Sequence, residues 1–152
     1  MKLDELLESR HIPFERLHHR PAYTANRVAQ TLHVPGKEMA KAVLLRTGHG
    51  YVVAVLPATH QVDLEQVRQQ LGEERVEMAA ESDMDRLFPD CERGAIPPFG
   101  SLYQLQTMVD ESLAQDEQIV FEAQNHEDAI RMTYRDFEAL ELPMKGHFAT
   151  HI

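Results

Sequence analysis

Apolar residues change their spacing along this chain, and each change predicts an element. The densest stretch runs from Ala40 to Arg46, then through Thr47-Gly48-His49-Gly50, then from Tyr51 to Leu56. Two apolar runs across a glycine-rich turn predict a β-hairpin. Tyr51 to Leu56 is apolar on both parities, so this strand is expected to be central and covered on both faces. Lys41 interrupts the first run. It shares its parity with Val43 and Leu45, so a strand that begins by residue 41 sends it to the same side as two core residues.

Elsewhere the patterns are shorter. Leu3, Leu6 and Leu7 fall at helical spacing between Lys2 and Arg10, and Pro13 blocks continuation. Phe14 to His18 alternates and reads as a short strand near an edge. Thr24 is placed to cap a helix to about Leu32, stopped by Val34-Pro35-Gly36. Asp63 caps a second helix through Leu71, which Gly72 ends. Arg75 to Ala79 predicts a strand, and Ser82 to Phe88 a short helix closed by Pro89. Strands are expected near Thr107-Met108-Val109, over Gln118 to Glu122, and over Ala129 to Met132 as the last of the set. Thr133 with Asp136 starts a helix from Tyr134 to Leu140. The tail after Pro143 has no pattern and is expected to be loosely held. The sum is an α+β fold: a single domain over residues 1–152, with a central mixed, mostly antiparallel sheet of about six or seven strands surrounded by short helices.

Composition narrows the function classes. A 152-residue chain with 43% hydrophobic and 26% charged residues suits one soluble core. No run approaches the roughly 18 apolar residues of a membrane span, and the acidic, amphipathic start is neither a signal nor a transit peptide. Cys91 is the only cysteine, which rules out an internal disulfide and fits a cytoplasmic setting. The net charge of −10 argues against a broad nucleic-acid-gripping surface, so any contact with an RNA end must be local. The nine histidines show no metal-ligand spacing, so neither a metal nor a cofactor is expected.

Two stretches remain as candidate chemistry. One is Lys41, which is either a snorkelling surface lysine or a charge held at the sheet's core side. The other is Gly94-Ala95-Ile96-Pro97-Pro98-Phe99-Gly100, a loop almost without polar side chains. Its prolines stiffen it, and its remaining backbone N–H groups can meet a ligand unobstructed. It serves equally well as a rigid connection whose Ile96 and Phe99 fill the core. A nucleophile is missing: there is no GxSxG, and Cys91 lies between Asp90 and Glu92, whose charge raises a thiol pKa.

The order Tyr23-Thr24, Ala29, Lys41 with its apolar strand, Tyr51 to Pro57, Val62-Asp63, Gly94 to Gly100 and Val109-Asp110 closely resembles the YbaK/ProX family. These are free-standing relatives of the editing domain inserted in bacterial prolyl-tRNA synthetase. The resemblance covers about Arg20 to Leu140. It implies hydrolysis, in trans, of the ester joining a wrong amino acid to a tRNA 3′ end. Such editing is needed because one methylene discriminates by only about 1–3 kcal/mol. Lys41 matches the family's catalytic lysine, and Gly94 to Pro98 its GxxxP loop. Phe99, Tyr23 and Thr24 then become candidate pocket residues, as does His126, which otherwise reads as a turn histidine. The implied chemistry is assisted by the terminal 2′-hydroxyl, which accounts for the missing nucleophile. The implied partners are the 3′ aminoacyl end of a mischarged tRNA and, in addition, a synthetase; a monomer is expected. Two other readings stay open: a non-catalytic module that binds a tRNA end or a synthetase, and a hydrolase of small free aminoacyl esters.

Overall fold

The computed structural model describes residues 2–152. In chain order its first half contains α1 (Lys2–Ser9), β1 (Glu15–His18), α2 (Ala25–Leu32), β2 (Ala40–Thr47), β3 (Gly50–Pro57), β4 (His60–Val62) and α3 (Leu64–Leu71). The second half contains β5 (Val76–Met78), α4 (Glu81–Leu87), β6 (Gln106–Asp110), β7 (Gln118–Glu122), β8 (Asp128–Thr133), α5 (Tyr134–Glu141), β9 (Met144–Gly146) and β10 (Ala149–His151). The α+β class is as expected, but the strands are divided differently. They form a five-stranded mixed sheet β5-β2-β3-β6-β9, an antiparallel three-stranded sheet β1-β8-β7 and a two-stranded pair β10-β4. The expected central mixed sheet is present with five strands, and the remaining strands form the two smaller sheets.

The hairpin is the centre of the larger sheet. β2 pairs with β3 from Ala40↔Pro57 to Thr47↔Gly50, and β3 continues the sheet in parallel through β6. β3 is buried on both faces. Val53 and Val55 pack with Phe99, Phe121, Ile130 and Phe137 on one side, while Val52, Ala54 and Leu56 pack with Val67, Met108 and Phe148 on the other. The continuous apolar run of Tyr51 to Leu56 is what this double burial requires. α2 closes a third cluster in which Val28 and Ala29 meet Met39, Val120 and Ala129.

The helix signals hold closely. The Thr24 side chain accepts from Arg27 N, and the Asp63 side chain accepts from Glu65 N and Gln66 N. Gly72 ends α3 in the left-handed region, at φ 68°. Helix α4 starts at Glu81 instead of Ser82, because the Asp83 side chain reaches back to the backbone N–H of Ala80.

The tail is the main correction. Ala129 to Met132 is not the last strand, and the chain after Pro143 is not loosely held. β9 adds in parallel to β6, β10 pairs with β4, and Phe148 is fully buried between them. Three-residue strands are too short to show a period. A partner distant in sequence fixes them: one Asp110 oxygen accepts from the backbone of Phe148 (2.8 Å) and Ala149 (2.9 Å). The other accepts from Ser112 N (3.1 Å) and Ser112 Oγ (2.5 Å).

Asp110→Ala leaves buried backbone donors unpaired, so it is expected to destabilise the protein by on the order of 3 kcal/mol. At about 2–4 °C per kcal/mol for a chain of this size, the melting temperature falls by roughly 6–12 °C. Hydrogen exchange should show the amides of Phe148 and Ala149 losing protection before those of β3; equal protection in both would disprove the clamp.

Candidate functional site

Besides the side-chain packing of Val53 and Val55 against Phe121 and Ile130, the two sheets are joined among the described residues by one parallel backbone bridge, Met39↔Val120. In that register Lys41 stands level with Glu122. No further pair forms between them among the described residues, so β2 and β7 part beyond the bridge. The gap is a cavity of about 160 Å³, lined by Ala25, Met39 to Val43, Gly94, Ile96 and Glu122. β5 pairs β2 only over Leu45–Thr47, which leaves the Lys41–Val43 edge of β2 facing the gap.

Lys41 is half-buried on the cavity wall, and no hydrogen bond or ion pair joins its side chain to another described residue. Burial lowers its pKa below the usual lysine value. A cation that is desolvated and unpaired is available to a ligand charge.

The opposite wall is the glycine-proline loop, held from below by the β7–β8 turn. Glu92 N donates to Gln124 O at 2.8 Å, and His126 Nε2 donates to the Arg93 carbonyl at 2.7 Å. Gly94 follows with φ +84°, in the left-handed region that favours glycine. At the loop's far end Gly100 N donates to Thr107 Oγ1, and a Cβ on Gly100 would lie 2.7 Å from that oxygen. Of the loop residues, Gly94 and Ile96 line the cavity. Ala95, Pro97, Pro98 and Phe99 are buried, with Phe99 packed edge-to-face on Phe121 and Phe137.

The remaining candidates fall around this cavity without lining it. Thr24 caps α2, and its neighbour Ala25 reaches the cavity instead. Tyr23 is 72% exposed and lays its ring 4.9 Å from that of His126. His126 is 6% exposed, behind Gly94, so it is a buried brace and not a surface turn residue. Cys91 is pushed up to about 11, by burial first, with Tyr103 opposing and Asp90 adding. The direction follows the sequence argument, but burial and not the neighbouring carboxylate is the main cause.

Glu122 is the residue that sequence reasoning missed. It is 9% exposed, lines the cavity, and its side chain accepts no hydrogen bond from any described residue. Its Oε1 lies 3.5 Å from His126 Nδ1, an ion-pair distance without hydrogen-bond alignment. Burial pushes its carboxyl up to about 7, His126 opposing and the Glu92 charge adding. Strand parity held the signal: Glu122 shares the face of Val120, which packs against α2.

The aminoacyl-tRNA editing domain model matches residues 19–140. The chain is 30% identical over 114 residues to the multifunctional Ser/Thr-tRNA deacylase ProXp-y of Escherichia coli K12, across 72% of this chain and 68% of that protein. Among solved structures, a hypothetical protein superposes with TM-score 0.90 at 16% identity, over 99% of this chain and 100% of that one. A candidate trans-editing enzyme for prolyl-tRNA synthetase superposes with TM-score 0.86 at 18% identity, over 98% of this chain and 95% of the other.

The Glu122 carboxyl yields a stability prediction with a definite sign. Its folded pKa is raised from 4.5 to about 7, so its contribution is fully present below pH 4.5 and is lost as pH rises through 7. Glu122→Gln never ionises. The variant should match the wild type near pH 4 and exceed it at pH 8 by on the order of 1–2 kcal/mol. Thermal unfolding at both pH values checks this; a difference independent of pH would mean that the carboxyl does not titrate as described.

Proposed function

The chain belongs to the aminoacyl-tRNA editing domain family, the YbaK/ProX group, and from that premise we propose that it hydrolyses the ester of mischarged tRNA in trans. The observation that carries this reading is the unpaired, half-buried Lys41 on one cavity with Gly94 and Ile96 of the GxxxP loop. Hydrolysis joins a water oxygen to the ester carbonyl carbon and breaks the bond to the ribose 3′-oxygen, releasing the amino acid and an uncharged tRNA. Negative charge develops on the carbonyl oxygen in between. Lys41 stabilises it, and its lowered pKa reflects a poorly solvated site in which that interaction is strong. The terminal 2′-hydroxyl assists the attack, so no side-chain nucleophile is needed.

The loop supplies a fixed wall. Gly94 presents backbone without a side chain, and Ile96 limits the depth available to the amino acid. About 160 Å³ suits a small side chain, and the named activity of the E. coli relative makes seryl and threonyl esters the first substrates to try. The net charge of −10 confines productive contact to the tRNA end. We take residues 1–152 as one editing unit, acting as a monomer in the cytoplasm, with association with a synthetase as an additional possibility for pull-down to test.

A panel of mischarged tRNAs tests the reading. Lys41→Ala should lower kcat/KM by about 100-fold or more while leaving thermal unfolding nearly unchanged. A 2′-deoxy terminal adenosine should slow the wild type by a similar factor, on the scale of a lost proton-transfer partner, roughly 10²–10⁴. Turnover equal to the blank across the panel would sink the enzyme reading, and faster turnover of a small aminoacyl ester than of charged tRNA would reassign the substrate.

A further inference from the structure

We propose that Glu122 binds the α-ammonium of the aminoacyl group, so that the cavity selects esters whose amine is free. This rests on the deacylase reading and adds to it a recognition element on the wall opposite Lys41.

A carboxyl 9% exposed at a cavity wall, whose buried Oε1 has no well-aligned hydrogen bond, is costly to ionise. Nothing in the fold compensates it fully. His126 Nδ1 lies at 3.5 Å out of hydrogen-bond alignment, in a ring whose orientation is fixed by Nε2 donating to the Arg93 carbonyl. Glu92, the other charge felt at Glu122, is acidic and worsens the position. Lys41 shares the cavity but makes no ion pair within 4 Å. A polar group that destabilises the resting fold and faces a cavity is suited to complete its interactions with a ligand.

The chemistry of the ligand follows from the two walls. In an aminoacyl ester the carbonyl and the ammonium sit on adjacent carbons. The Met39↔Val120 register puts a cation and an anion at the same level on opposite sides. Lys41 facing the carbonyl leaves Glu122 facing the amine. A second acceptor lies on the β2 side: Leu44 C=O accepts from Ala79 N at 3.1 Å, so by strand alternation the Ala42 carbonyl also points away from β3. An ammonium carries three donors and a carboxylate accepts on both oxygens. An N-acylated ester, such as a peptidyl-tRNA or a formylated initiator, carries no positive charge there and one amide N–H in place of three donors, and is therefore spared.

The test replaces the amine by a hydroxyl of similar size. Seryl-tRNA and its 2-hydroxyacyl counterpart are compared as substrates, and the matching 3′-amide adenosine analogues as non-hydrolysable binding probes. Wild type should favour the amine form by about 10–100-fold in kcat/KM and in affinity, the range of a charge-assisted hydrogen bond. Glu122→Gln should bring both ratios near one while keeping wild-type turnover of the hydroxyacyl ester, which also shows that the variant folds. A variant that retains the amine preference, or that loses both substrates equally, overturns the proposal. A wild type that binds the amine probe selectively yet hydrolyses neither ester keeps the subsite and removes the deacylase reading.

Discussion

The site depends on where two strands stop pairing. Met39 and Val120 bring the hairpin sheet and the β1-β8-β7 sheet together at one parallel bridge, and the divergence beyond it opens the cavity. A longer ladder would place the backbones of β2 and β7 about 4.8 Å apart and leave no room. The shared core of Val53, Val55, Phe121 and Ile130 holds the sheets together, and the bridge sets the register in which Lys41 and Glu122 stand level.

The rest of the construction keeps that gap from closing. The loop cannot relax into it, because His126 and Gln124 hold its start while the Gly100–Thr107 contact holds its end. Thr107 in turn donates to the buried Glu141, which also accepts from Ser101. Pro97 and Pro98 remove two backbone donors that would otherwise need partners inside the core. Stiffness comes from these anchors, and the loop's apolar side chains supply the packing that seats it against Phe121 and Phe137.

Much of this was legible in the sequence where the cause is local. The caps at Thr24 and Asp63, the stop at Gly72, the hairpin and the buried β3 all follow from residues within one element or its immediate flank. The Lys41 parity argument placed it beside core residues, and the structure leaves it half-buried at a cavity. What could not be read has distant causes. β9 and β10 depend on Asp110, more than thirty residues earlier, and three-residue strands carry no period of their own. Glu122 reads as a strand residue until the parallel register sets it across from Lys41. His126 looks like a turn histidine because its carbonyl partner, Arg93, belongs to another segment.

Four separated stretches of chain form the cavity walls: Ala25, residues 39–43, Gly94 with Ile96, and Glu122 at the end of β7. They meet only after the two sheets have docked and the loop has been pinned at both ends. A partly folded chain therefore presents the lysine to water and the carboxylate to solvent, with no enclosed space between them. An enclosed space between that lysine and that carboxyl is therefore a property of the fully folded chain.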